Sequence, residues 1–148
     1  MAENTFCIYS ADIIDKPEYT HRGLILDTSR NYFPMRILRK VVDGLSYNKM
    51  NVFHWHITDS HSFPLELPNS IPELAQYGAY SKHKTYSPEQ VKELVEYARV
   101  RGVKVLPEFD APAHVGNGWQ VWSPTEFFCL LFVKKIFNLL KIKLIIPL

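Results

Sequence analysis

The chain has 148 residues, 47% of them hydrophobic and 22% charged, a globular composition long enough for one domain with a real core. A formal net charge of +2 is too small to argue for nucleic acid or an anionic membrane surface, and no uninterrupted apolar run reaches the roughly 20 residues that span a bilayer. Cys7 and Cys129 give neither a disulfide framework nor a CxxC motif, and MAENTFCIYSADIID lacks the charged start and apolar run of a signal peptide.

Residues 1–21 read as a loose lead-in ending in KPEYTH. RGLILD (22–27) is a short apolar run bounded by Arg and Asp, which suits a buried strand. After Pro34 the apolar residues Ile37, Leu38, Val41, Val42 and Leu45 make a helical stripe. MNVFHWHITD (50–59), rich in β-branched and aromatic residues, reads as a second strand. A proline-rich loop with Pro64, Pro68 and Pro72 follows. The second helix is the best-marked element: Ser87 is placed as N-cap, Pro88 at N1 and Gln90 at N3, a capping box with a pre-set first turn. Val91, Leu94, Val95 and Ala98 form its expected buried stripe, and Gly102 is the expected closing glycine. VKVLPEFD (103–110) is then a third strand.

Strand, helix, strand, helix, strand is the alternation of an α/β fold with a parallel sheet. Each expected strand ends in a carboxylate: Asp27, Asp59 and Asp110. Ligand sites of parallel α/β folds lie at the carboxyl ends of strands, so the three aspartates converge on one rim if the sheet is part of a barrel. The plainer reading is that each aspartate caps the loop after it.

From residue 121 the character changes. VWSPTEFFCLLFVKKIFNLLKIKLIIPL has one acidic residue, Glu126, and no glycine. A weak amphipathic helix, a membrane-surface segment and translated intron sequence are the three readings. The last is preferred, because Phe, Ile, Lys, Asn and Leu are products of A/T-rich codons and an intron opening in GT would begin with a valine codon. The expected organisation is therefore 1–21 as a lead-in or linker, 22–120 as an α/β unit, and 121–148 as an aberrant apolar tail.

Three clusters carry chemistry. His54 and His56 stand two apart on a strand and so share a face. A metal reading takes this HWH as a ligand pair completed by later residues such as Asp110 or His114, as in a barrel metallohydrolase. The plainer reading leaves at least one histidine neutral and hydrogen-bonded inside the sheet, and HxH is a short, unspecific pattern. Arg22 opens the first strand; a guanidinium there can fork onto paired hydroxyls, or it is simply solvated. PEFDAPAH (107–114) packs Glu108, Asp110 and His114 around two prolines, and a carboxylate and an imidazole held by such a loop can tune a neighbouring acid. Trp55 and Trp119 suit either a sugar face or the core.

RGLILDTSRNYFP, KMNVFHWHITDSHSFP and RGVKVLPEFDAPAHVGNGWQ together resemble family 20 glycoside hydrolases, the β-N-acetylhexosaminidases, in register from about Lys16 to Gln120. HWHITDSHSFP and PEFDAPAH are highly specific, and DAPAHVGNGWQ looks most like the arthropod branch. The resemblance implies a (β/α)8 TIM barrel preceded by a smaller domain, with residues 1–21 as the end of that preceding domain or a linker and 22–120 as the N-terminal part of the catalytic domain, about its first three βα units. It implies retaining, substrate-assisted hydrolysis of terminal non-reducing N-acetylhexosamine from chitooligosaccharides or glycoconjugates, with no cofactor and no metal. By the same resemblance Arg22 grips sugar hydroxyls, Asp59 and His114 form a relay that tunes the catalytic acid, and Glu108, Asp110 and His56 line the rim. The second acidic residue that many relatives have after Asp59 is Ser60 here. The family's general acid Glu and its partner Asp follow two adjacent glycines, and this chain has no adjacent glycines. The 148 residues are therefore expected to be inactive and, as an open part of a barrel, prone to aggregate. A non-catalytic sugar-binding fragment and a metallohydrolase using His54 and His56 are the rival readings. A homodimer and a lysosomal, secreted or membrane-associated location are properties of the full-length family, and the chain sets neither.

Overall fold

The computed structural model describes residues 7, 9–110 and 113–121. The apolar tail beyond Val121 lies outside them. Six elements follow in chain order: β1 (Gly23–Asp27), α1 (Met35–Tyr47), β2 (Val52–Thr58), α2 (Pro72–Gly78), α3 (Pro88–Arg99) and β3 (Lys104–Phe109), with a 3-10 turn at Trp119–Val121. The strands form one parallel sheet in the order β1-β2-β3. Gly23 lies opposite Val52 and Asp27 opposite His56; Val52 lies opposite Lys104 and His56 opposite Glu108. The register of β2 and β3 slips between His56 and Thr58, so the carboxyl end of β2 is bent where the polar residues begin.

Two-residue periodicity divides β2 between two environments. Phe53, Trp55 and Ile57 are at most 1% exposed and face the helices. Leu38, Val42 and Leu45 of α1 and Val91, Leu94 and Ala98 of α3 meet them, with Phe63, Leu65, Leu74 and Tyr86 closing the core. Each large side chain buried this completely contributes about 1.5–3 kcal/mol relative to exposure. Two polar atoms enter the core satisfied: Trp55 Nε1 donates to Thr28 Oγ1 at 2.9 Å, and the Tyr86 hydroxyl donates to Phe33 O at 2.7 Å. Burial raises the Tyr86 phenol well above its ordinary value, so it stays a donor. Trp55 is thus a core residue.

The capping box of α3 is present as expected: Gln90 N donates to Ser87 Oγ at 3.3 Å, and Ser87 N donates to Gln90 Oε1 at 3.0 Å. Four details differ from the sequence reading. Val95 is 36% exposed, at the margin of a stripe that reaches the core only through Val91, Leu94 and Ala98. The helix cap is Val100, and Gly102 takes the left-handed conformation (φ 72°) two residues beyond it. The proline-rich loop contains α2, too short for periodicity to reveal, though Pro72 and Glu73 in its first turn are ordinary helix-start residues. Finally, β1 is only partly buried: Leu24 and Ile25 are 46% and 56% exposed while Leu26 packs on the core, and among the described residues β1 pairs only with β2.

Candidate active site

Parallel strands deliver their carboxyl ends to one edge, and the three strand-end aspartates meet there. His56 lies at the centre, its side chain 8% exposed. Its Nδ1 is 3.5 Å from Asp27 Oδ2, and its Nε2 is 3.5 Å from both Asp59 Oδ2 and Asp110 Oδ2. None of these is a directed hydrogen bond from Nε2, which is buried without a partner. Both readings of the aspartates hold at Asp27. Oδ1 caps the following turn by accepting from Ser29 N at 2.9 Å and Arg30 N at 3.1 Å, while Oδ2 accepts from Arg30 Nη1 at 2.5 Å.

Asp59 is the most buried acid of the group, its side chain 2% exposed. Ser60 N donates to Oδ1, and Arg30 Nη2 stands 2.8 Å from Oδ2, a charge contact without directed hydrogen-bond geometry. Burial opposes its ionisation, yet the Ser60 amide, the Arg30 charge, the Ser60 hydroxyl and His114 outweigh burial and hold the carboxyl below its ordinary range. Asp27 is lowered in the same way: burial opposes ionisation, and the Arg30 side chain, the Arg30 and Ser29 amides and His56 outweigh it. The Arg30 guanidinium is correspondingly raised, first by its bond to Asp27.

His114 reaches the cluster from the chain after β3. Its Nδ1 is 3.1 Å from Asp110 Oδ2, within hydrogen-bond reach, and 3.7 Å from Asp59 Oδ2. The imidazole is 65% exposed, which leaves its ring open to a further group. Glu108 lies opposite His56 in the sheet register, with its carboxylate 2.5 Å from His54 Nε2. The structure therefore brings together Asp59, Asp110, His56 and His114, with Glu108 at the edge of the group, near His56 and Asp110 and paired with His54.

Arg22 does not join them. It stands at the amino end of β1, about 16 Å along the strand from Asp27 at the usual rise per residue. Its guanidinium is committed to backbone, Nε to Lys49 O at 2.6 Å and Nη1 to Tyr19 O at 2.5 Å. The cation on the rim is Arg30, which the sequence reading passed over. Its signal was present in LDTSR, an arginine three residues after a strand-end aspartate. Ser29 and Ser62, which join the β1 and β2 loops, were also missed.

Two trios place ligand atoms within 4.8 Å of one another: His56, Glu108, Asp110 and Asp59, Asp110, His114. They share Asp110 and so form one cluster. Arg30 already supplies positive charge to Asp59 Oδ2, the position a cation would otherwise take. The arrangement suits an ionised carboxylate beside an accessible imidazole, with a guanidinium whose side chain is 41% exposed.

The family model for glycosyl hydrolase family 20, catalytic domain, matches residues 19–130. A chitooligosaccharidolytic β-N-acetylglucosaminidase of Bombyx mori is 50% identical over 125 residues, covering 84% of this chain and 21% of that protein. The β-hexosaminidase subunit beta of Homo sapiens is 49% identical over 110 residues, covering 74% and 20%. The chain thus spans about a fifth of the length of these curated relatives. Among solved structures, a GH20 exo β-N-acetylglucosaminidase from Vibrio harveyi in complex with N-acetylglucosamine aligns with TM-score 0.64 at 30% identity, over 69% of this chain and 18% of that one. A chitobiase from Flavobacterium johnsoniae aligns with TM-score 0.62 at 38% identity, over 66% and 14%. The parallel α/β unit corresponds to the N-terminal part of the TIM barrel in such neighbours.

Proposed function

Because the chain belongs to glycosyl hydrolase family 20, we propose that it forms the first three βα units of a β-N-acetylhexosaminidase barrel acting on terminal N-acetylglucosamine or N-acetylgalactosamine. The observation that carries this reading is the meeting of Asp59, His114 and Arg30 at the carboxyl ends of three parallel strands. In this reading the substrate's acetamido oxygen is the nucleophile and a glutamic acid protonates the leaving oxygen. Asp59 stays ionised and orients the His114 imidazole, whose exposed edge meets that acid and tunes its pKa. Arg30, fixed by Asp27 and Asp59, offers its free N–H groups to sugar hydroxyls in the role the sequence had suggested for Arg22. The acid and its aspartate partner are not among the 148 residues, so this polypeptide alone turns over nothing.

The test is a chimera of the Bombyx mori relative in which residues 19–120 of this chain replace the matched segment. It is expected to release chromophore from an N-acetylglucosaminide. Arg30→Met should cut kcat/KM by about 100-fold, the loss expected when charged hydrogen bonds to substrate are removed, and Arg22→Met by far less. A folded but inert chimera overturns the reading, and a larger loss at Arg22 returns the role to that residue. Chromophore release by the 148-residue chain itself would overturn its proposed inactivity.

A further inference from the structure

Asp59 and His114 lie on different loops, and their separation depends on how those loops are joined. Directly after Asp59 the chain turns through Ser60, His61 and Ser62, with Asp59 N donating to Ser62 O at 3.3 Å. The chain after His114 closes onto this turn. Asn117 N donates to Ser60 O at 3.1 Å, and Asn117 Nδ2 donates to His61 O at 2.8 Å. Gly116 approaches so closely that a Cβ there would lie 2.3 Å from Ser60 O and 2.8 Å from Ser60 Cα, distances that no side chain tolerates. Gly118, at φ 92°, abuts Leu74 O, and the Trp119 ring meets Phe63 edge-on at 5.9 Å. His114 itself is held at φ 55°, a conformation uncommon for histidine and sustained only where the surroundings impose it.

We propose that Gly116 and Asn117 are positioning residues that set the distance between Asp59 and His114. The inference rests on the reading of those two residues as a functional pair. The contacts join Ser60 and His61, one and two positions after Asp59, to Gly116 and Asn117, two and three positions after His114, so they fix the pair more directly than they support the core. Gly116 permits the backbone approach, and the Asn117 side chain holds it.

The experiment follows the His114 imidazole by NMR in the 148-residue chain. Substituting Asp59→Asn should shift its resonances. In a Gly116→Ala background, and to a smaller degree with Asn117→Ala, the same substitution should no longer shift them, while the indole N–H resonance of buried Trp55 persists. An equal Asp59→Asn shift in all backgrounds overturns the positioning role. Loss of the Trp55 signal in both variants overturns it too, since the contacts would then be holding the whole fold. If Asp59→Asn leaves His114 unmoved even in the unaltered chain, it is the pair itself, and with it the functional reading, that fails. Should Gly116→Ala alone unfold, Asn117→Ala decides: a retained shift overturns the proposal and a diminished one supports it.

Discussion

Ser29 and Ser62 hold each other at three points. Ser29 Oγ donates to Ser62 O at 2.9 Å and accepts from Ser62 N at 3.1 Å, and Ser62 Oγ donates to Ser29 O at 2.7 Å. Both residues are 0% exposed. Ser29 follows the strand-end Asp27 and precedes Arg30, while Ser62 closes the turn after Asp59, so this pair carries the guanidinium to its second carboxylate. With Asn117 gripping the opposite side, the turn at 60–62 is the common anchor of all three loops.

Ser62→Ala removes one donor and leaves Ser29 O buried without it, at a cost of about 1–3 kcal/mol. Ser29→Ala strands Ser62 N and leaves Ser62 O only the 3.3 Å bond from Asp59 N, and should cost at least as much. The three bonds are distinct, one made by Ser62 Oγ and two by Ser29 Oγ, but they hold the same two loops together, so the double substitution is expected to cost less than the sum. Urea denaturation of the four proteins measures this, and strict additivity would show that the pair does not act as a unit.

The acid limb of stability should carry the signature of the rim. Asp27 and Asp59 ionise at lower pH folded than unfolded, where a carboxyl titrates at about 3.9. A depressed folded pKa gives stability that is complete above the unfolded value and is lost as pH falls through the folded one. The melting temperature is therefore expected to be level from pH 7 to about 5 and to fall below about 4. Asp59→Asn should flatten that fall; an unchanged acid limb in the variant would remove Asp59 from the account.

Two glycines make a matched comparison, since a Cβ at Gly44 or at Gly102 meets nothing within 4 Å. Gly44 lies inside α1, so Gly44→Ala should stabilise by about 0.5–1 kcal/mol. Gly102 stands at φ 72°, where Gly102→Ala should destabilise by about 1–2 kcal/mol. Thermal melts of the two variants are expected to move in opposite directions, and a shared sign would mean that backbone conformation is not what separates the sites.

The open edge of β1 should govern self-association of the 148-residue chain. Leu24 and Ile25 are exposed on a strand that, among the described residues, is paired along one edge only, the arrangement that templates strand addition. Ile25→Lys is expected to lower light scattering during refolding. A sedimentation profile of a single monomer with a sharp cooperative melt would count against this.

The alternation of apolar and polar residues in β2, the stripe of α1 and the capping box of α3 were all legible in the linear chain, because each is a local relation within a few residues. So was the meeting of Asp27, Asp59 and Asp110, which follows from three parallel strands each ending in a carboxylate. The short helix α2 was not, since seven residues with two prolines nearby give no period to read.

Taken alone, the sequence determined the α/β order, the end of the sheet at which polar residues collect, and, through its three motif blocks, the family. Which arginine stands on that rim was decided by the tertiary structure. Arg22 and Arg30 look alike on the page, one before β1 and one just after it. Parallel strands send them to opposite ends of the sheet, Arg22 to the carbonyls of Tyr19 and Lys49 and Arg30 to the carboxylates of Asp27 and Asp59. The hold of Ser29, Gly116 and Asn117 on the turn at 60–62 was likewise invisible, because contacts between residues 33 and 56 positions apart exist only once the strands lie side by side.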